Sequence, residues 1–269
     1  MLDLMKNLTI LLSLIILSCN NPADCYDNDE RMRRVLAREA IRYMTCIKLD
    51  SIGHESISSI AINNEHGDLV QITYYSDKDS TTEKYTYDNQ NRITKVHVSQ
   101  NGGDWRLKMK NTYDDINKRE TNLEYAENGT VYRTEYLNNS NGKNISNRHY
   151  VDDQLKNIHL FYWTDNCLLD SIVRLDADSN KTEEKMIMKY DNNLLISKTK
   201  HKDSQMIEME NFEYNEQGLI ELTIYEIPNE YRQSTSIKYK GELPEYETMI
   251  YQSLTDDYSN TTKYKWKYK

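Results

Sequence analysis

The stretch Glu83–Val98, EKYTYDNQNRITKVHV, decides the fold. A run of alternating character arrives at Tyr87, the Asx-rich residues after it turn the chain, and a second alternating run leaves. Side chains of an extended strand point to opposite faces in turn, so such alternation marks a strand with one wet face and one buried face. Asp and Asn bend a chain by bonding back to the local backbone through their own side chains. Two strands joined by such a turn make a β-hairpin.

The pattern returns along the chain. Tyr113 begins YDDINKR, Tyr136 begins YLNNSNGK, Trp163 begins WTDNCLL, Tyr190 begins YDNNLLI, Tyr214 begins YNEQGLI and Tyr239 begins YKGELPE. Upstream Ile62 begins INNEHGDL, and downstream Tyr264 opens the closing YKWKYK. Subtracting their numbers, successive anchors lie 23 to 27 residues apart. A period near 25 residues, held from position 62 to the end, is an internal repeat. Alternation is clearest where Tyr264, Trp266 and Tyr268 interleave with Lys263, Lys265, Lys267 and Lys269, and where Met186, Met188 and Tyr190 flank Ile187 and Lys189.

Eight such hairpins and a terminal strand predict an all-β, antiparallel up-and-down meander of about 16 strands with one N-terminal helix. An open sheet of that length would leave its apolar face wet, so it should curl, close or fold over. A round barrel of that size has a lumen too wide for side chains to fill, which favours a flattened or incompletely closed, barrel-like sheet. A membrane-spanning barrel is the rival. Glu and Lys on both sides of most turns argue against the apolar band that lipid-facing strands need.

At the N-terminus, MKNLTILLSLIILSC (residues 5–19) has one positive charge, an apolar run too short to cross a bilayer comfortably, then Ser18 and Cys19 before the polar NNPAD. This resembles a bacterial lipoprotein signal with Ile16–Cys19 as its lipobox. The resemblance implies cleavage before Cys19, lipidation of that residue, and attachment to the cell envelope, with the outer membrane as the expected site, on its periplasmic or surface face. The expected organisation is a signal peptide at 1–18, a lipid-anchored tether at 19–28, a helix at 29–46 and one hairpin-repeat domain at 47–269. The helix rests on DNDERMRRVLAREAIRYMTC, which places acids at its start and Met32, Val35, Leu36, Ala40 and Met44 near one face. An uninterrupted helix there would hold Cys25 and Cys46 beyond disulfide reach.

The repeat units resemble the tyrosine-aspartate (YD, RHS-like) repeats of bacterial surface and secreted proteins. Tyr87-Asp88 with Asn91-Arg92-Ile93, Tyr190-Asp191, and Tyr214 with Gly218-Leu219-Ile220 carry the likeness. It implies hairpin architecture and an envelope location, and it implies no activity.

Composition narrows the function further. A net charge of -9 argues against nucleic-acid binding, which demands a basic stripe. The aromatics are 22 Tyr against 2 Phe and 3 Trp, a balance suited to a surface half in water. The six histidines show no zinc spacing. Cys167 sits in the turn TDNCLLD with no basic activator beside it. The best metal candidate, Asp176, Asp178 and Asn180, imitates the start of a calcium loop, which then fails at Lys181 and Ile187. No cofactor is expected.

Tyr87, Trp163, Tyr190, Tyr264 and Trp266 are the candidate binding aromatics. They either stack on sugar rings or grip an extended peptide, or they are cross-strand ladders that hold the repeats together. The function expected is a lipid-anchored, non-catalytic envelope binding or scaffolding protein whose partner is a protein or a glycan. The alternatives are an immunity-type inhibitor of a secreted toxin and an enzyme whose site is assembled across strands.

Overall fold

The computed structural model describes residues 28–50, 52–76, 78–178, 181–255 and 258–268. The signal segment, the tether and the lipidation residue Cys19 lie outside the described residues, as do Cys25 and Asn180.

Helix α1 (Asn28–Arg38) leads into β1 (Tyr43–Leu49), β2 (Glu55–Asn63), β3 (Leu69–Tyr75), β4 (Ser80–Tyr87), β5 (Ile93–Gln100) and β6 (Arg106–Asp114). The chain continues through β7 (Arg119–Tyr125), β8 (Val131–Asn138), β9 (Asn144–Val151), β10 (Gln154–Trp163), β11 (Leu169–Asp176) and β12 (Thr182–Asp191). It ends with β13 (Leu194–Lys202), β14 (Gln205–Tyr214), β15 (Ile220–Ile227), β16 (Tyr231–Lys240), β17 (Leu243–Ser253) and β18 (Ser259–Tyr268). Every strand pairs antiparallel with the next, and β18 pairs antiparallel with β1. The meander is therefore a closed 18-stranded barrel. Closure removes the two edges that an open sheet would expose.

The expected antiparallel, barrel-like meander is observed, with 18 strands among the described residues against about 16 expected, and the sheet closes where incomplete closure was favoured. The helix ends at Arg38, not at residue 46, and the segment YMTCIKL becomes the closing strand β1. The stop is a Schellman turn. Ile41 N–H reaches Leu36 O at 2.8 Å, Ala40 N–H reaches Ala37 O at 3.1 Å, and Ala40 takes φ +51°. Leu36 and Ile41, the apolar pair of that motif, are both buried. Glycine is the usual residue at this left-handed position, and Ala40 hid the boundary.

The hairpin turns at one end of the barrel explain the repeat. Asp88 Oδ1 accepts the backbone N–H groups of Gln90 at 2.9 Å and Arg92 at 3.0 Å. Asn64, Asn139 and Asn215 each receive the equivalent pair in their own turns. Three positions after the acceptor, the backbone turns left-handed at Gly67, Asn91, Gly142 and Gly218, and at Cys167 after Thr164. Just before the turn, the register slips at Asn63, Tyr87, Asn138, Trp163, Tyr190, Tyr214 and Tyr239. A bulge at each anchor bends and twists the strand there.

The anchor side chains staple each hairpin to the one before it. Tyr87 donates to Leu69 O at 2.6 Å, Tyr113 to Ile93 O at 2.7 Å and the Trp163 indole to Asn144 O at 2.8 Å. Tyr190 donates to Leu169 O at 3.0 Å, Tyr214 to Leu195 O at 2.8 Å and Tyr239 to Ile220 O at 2.8 Å. The last staple is Tyr268 to Pro244 O at 2.6 Å, so Tyr268 rather than Tyr264 is the anchor of the final unit. In the fourth unit Asn138, not Tyr136, holds the anchor place.

Inward and outward rows differ in chemistry. Met186, Met188, Tyr190, Phe212 and Tyr214 belong to the inner face, where Met188, Leu195, Phe212 and Ile220 form the tightest apolar cluster. Lys185 and Lys189 on β12, Lys238 on β16, and Lys263 and Lys267 on β18 face out and are exposed.

The two ends differ as well. At the staple end the inner residues Asn63, Leu195, Ile220 and Pro244 are buried. Helix α1 sits over part of this rim, with Arg33 3.1 Å from Asp68 in the β2–β3 turn and Arg38 2.8 Å from Glu242 in the β16–β17 turn. At the other end inner-face Lys48, Ser56, Glu124 and Tyr132 are exposed. Solvent enters the lumen from that end.

Candidate binding lumen

Toward the open end the inner wall turns polar, and its chemistry changes around the ring. On β6 to β10 it carries a ladder of amide, hydroxyl and imidazole groups, with Glu120 and Glu124 in the same inner row of β7. Asn122 donates to Asn111 at 2.7 Å, Thr134 Oγ1 lies 3.0 Å from His149 Nδ1, and His159 Nδ1 lies 2.9 Å from Asn147 Oδ1. Tyr132 stacks on His149. Burial, with help from the nearby Arg174 charge, lowers the pKa of His159 and keeps its ring neutral. Asn157, beside His149 across the β9–β10 pair, is buried, and its Oδ1 has no hydrogen-bond partner.

Further round, on β11 to β14, charges occur in matched pairs. Arg174 lies 3.1 Å from Glu183 and 3.5 Å from Glu184. Lys200 lies 3.2 Å from both Glu184 and Glu208, and Lys198 lies 3.0 Å from Glu210. Every cation of the relay is paired, and four carboxylates against three cations leave it slightly acidic.

The wall on β15 to β18, opposite the amide ladder by ring position, carries an aromatic row. Tyr225 and Tyr231 have ring centres 5.8 Å apart, Tyr231 and Tyr251 stack at 5.2 Å, and Tyr258 meets Tyr251 edge-on at 6.1 Å. Such offset and edge contacts are the preferred geometries of aromatic pairs. Burial raises the pKa of Tyr225, which also bonds Tyr231 and Glu208. Gln233 pairs laterally with Tyr225 on one side and Tyr251 on the other, and Asn260 pairs with Tyr251. These tyrosines fall outside the repeat frame, and the search for periodic anchors missed them. Their signal was the density of Tyr between residues 225 and 258 that the 25-residue period does not require.

The sequence-chosen aromatics fall elsewhere. Tyr87, Trp163 and Tyr190 are rim staples, half-buried, with their polar atoms on backbone carbonyls. Tyr264 and Trp266 face inward beside the closing seam. Burial and the neighbouring Glu247 and Cys46 push the Tyr264 hydroxyl up to about 12. The Trp266 indole N–H and Glu247 Oε1 lack partners, and burial pushes the Glu247 carboxyl up to about 7. Cys46, across from Trp266, is a free thiol held at about 12 by burial and by Glu247, the opposite of an activated nucleophile. Cys167 is free and sits in its turn at φ +61°.

Asp176 ends β11, where its carboxylate accepts the Asp178 N–H at 3.0 Å in a local turn. Among the described residues, no group of three or more His, Cys, Asp or Glu side chains is arranged to hold a metal ion.

No protein-family model and no curated protein matches the chain. Among solved structures, a porin-like protein from Bacteroides uniformis is similar, at a TM-score of 0.52 and 12% identity over 85% of this chain and 96% of that one. That likeness is one of fold, an up-and-down barrel. The Photorhabdus luminescens Tc holotoxin pore with a TccC3 mutation matches 82% of this chain and 18% of that chain, at a TM-score of 0.30 and 8% identity. A TcdB2-TccC3-Cdc42 complex matches 82% of this chain and 16% of that chain, at 0.27 and 11%. The fold assignment rests on the first.

Proposed function

We propose that this chain is a lipid-anchored, non-catalytic binding protein of the bacterial cell envelope, whose barrel stands in water beside the membrane and receives its ligand through the open end. The observation that carries the reading is the polarity of the two faces. A lipid-facing barrel needs a continuous outward apolar band, whereas the outward rows here interrupt exposed Tyr162, Tyr246 and Ile250 with Lys185, Lys189, Lys238, Lys263 and Lys267. With a charged outer wall, attachment falls to Cys19 at the lipobox, whose acyl chains would hold the barrel by its N-terminal tether. The lumen supports binding because its wet end gathers amides, imidazoles and stacked tyrosines in a closed frame. The YD-like hairpin repeats are the frame and carry none of the recognition.

The test has two arms. The wild-type chain should fractionate with membranes and carry radiolabelled lipid, and Cys19→Ser should move to the soluble fraction with its β-sheet spectrum intact. A Cys19→Ser chain that stays embedded and resists alkaline extraction would overturn the anchored-barrel reading. In the second arm, a photo-crosslinking residue replaces Gln233 in the lumen or Lys238 on the outer wall of the cell-borne protein. Adducts specific to position 233 support lumen binding, and their absence removes it.

A further inference from the structure

The lumen's chemistry narrows the ligand class, an inference that rests on the binding reading above. We propose that the open end binds a neutral, linear oligosaccharide, seated on the Tyr231–Tyr251–Tyr258 row.

Three observations converge on an uncharged polyol. First, the cations of the β11–β14 wall, beside the tyrosine row, are already held by carboxylates. Arg174 holds Glu183 and Glu184, Lys200 bridges Glu184 and Glu208, and Lys198 holds Glu210. A charged ligand would have to displace one member of a part-buried pair and leave the other uncompensated, which is costly.

Second, the amides and hydroxyls of the inner wall are two-sided. Side-chain amides both donate and accept, as do neutral imidazoles and hydroxyls. A sugar hydroxyl needs the same pairing, one acceptor and one donor at close spacing. Gln233 and Asn260 supply amides beside the tyrosine row, and Asn111, Asn122, Thr134, Asn147, His149 and His159 supply them on the facing wall. Asn157, buried on the same wall beside His149, has an Oδ1 without a partner.

Third, the tyrosines offer ring faces in a row. Tyr258, 57% exposed, stands at the mouth, Tyr231 opens β16 at the same rim, and Tyr251 lies one inner position deeper on β17. A pyranose presents a C–H face that packs on an aromatic ring while its edge hydroxyls reach neighbouring amides. Successive rings side by side along the rim favour a chain of sugars over a single one. The staple aromatics at the other end cannot serve this way, because their polar atoms are committed to backbone carbonyls.

The test uses the full chain purified in detergent, with saturation-transfer NMR and calorimetry. The probes are neutral hexasaccharides of β-1,4-glucose, α-1,4-glucose and β-1,4-N-acetylglucosamine, beside a sulfated hexasaccharide and hexalysine. At least one neutral probe should bind. Tyr251→Ala and Gln233→Leu should each weaken it by about tenfold or more while the unfolding midpoint holds near that of the parent. Tyr162→Ser, on the outer wall, should leave affinity unchanged. Preference for a charged probe, or binding indifferent to Tyr251→Ala and Gln233→Leu, would overturn the proposal. Silence of all neutral probes while position 233 still forms envelope adducts would overturn the ligand class and leave lumen binding standing. Silence in both experiments would remove lumen binding itself.

Discussion

The hydroxyl of Tyr214 donates to the backbone carbonyl of Leu195 at 2.8 Å, reaching from the end of β14 to the start of β13. The two residues belong to successive hairpins, and the bond falls where a bulge has already opened the ladder. The same relation recurs around the rim, which makes it the physical content of the repeat. Tyr214→Phe keeps the ring in the apolar cluster and leaves the carbonyl of the fully buried Leu195 without this donor. The variant should lose about 1 kcal/mol or somewhat more of stability, read as a lowered urea midpoint at an unchanged slope. Tyr258→Phe, at the exposed mouth, should shift the midpoint by much less. Equal losses would mean the staples contribute nothing special.

The closing seam should make stability depend on pH. Glu247 on β17 is buried against Tyr264 of β18 and close to Cys46 of β1, with one oxygen lacking a partner. Burial raises its carboxyl from 4.5 to about 7. Below the unfolded value both states hold the proton, and the group contributes nothing to pH dependence. Between the two values the folded chain alone holds it, so stability falls as pH rises through this window. Above the folded value the loss is complete, about 3 kcal/mol. Urea titrations between pH 4 and 8 should show this decline in the wild type and a flatter profile in Glu247→Gln. A wild-type profile that rises over the window would refute the assignment.

Much of this architecture was legible in the residues, and the misses have physical causes. The anchors at Tyr87, Tyr190 and Tyr214 were found because bulge, staple and Asx turn all demand particular side chains at fixed spacing. The start of the closing strand is hidden because Ala40 takes a left-handed turn without the glycine that signals one, so the expected helix runs on over YMTC to residue 46. Tyr264 was mistaken for the last anchor because it alternates in phase with Tyr268, and only the bond to Pro244 O separates them. The tyrosine row at the mouth was invisible for a different reason. Tyr225, Tyr231 and Tyr251 come from three strands, and the register that aligns them is set by hairpin lengths rather than by any local motif.

Cys167 occupies the left-handed turn position that glycine holds at Gly67, Gly142 and Gly218. A side chain there costs about 1 kcal/mol relative to glycine. Cys167→Gly should therefore raise the thermal midpoint modestly, even though glycine also loosens the unfolded chain. A clear drop instead would show that the thiol makes a stabilising contact that outweighs the backbone strain.

Gly67 and Gly142 share this turn geometry, with φ +80° and +75°, and differ in what surrounds them. A Cβ on Gly142 would meet nothing within 4 Å, whereas one on Gly67 would overlap the Arg33 carbonyl and stand 3.2 Å from the Ala37 nitrogen. Both neighbours are backbone of helix α1, so no side chain can swing aside to make room. Gly142→Ala should cost only the backbone strain, about 1 kcal/mol. Gly67→Ala should cost more and act on a different element, because the clash forces the helix off the rim and strips the Arg33–Asp68 pair of its geometry. Amide hydrogen exchange separates the two effects. The Gly67→Ala chain should lose protection across residues 33–38 while β12 to β15 keep theirs, and Gly142→Ala should leave the helix as it was. Unchanged helix protection in Gly67→Ala would mean that α1 does not rest on the β2–β3 turn.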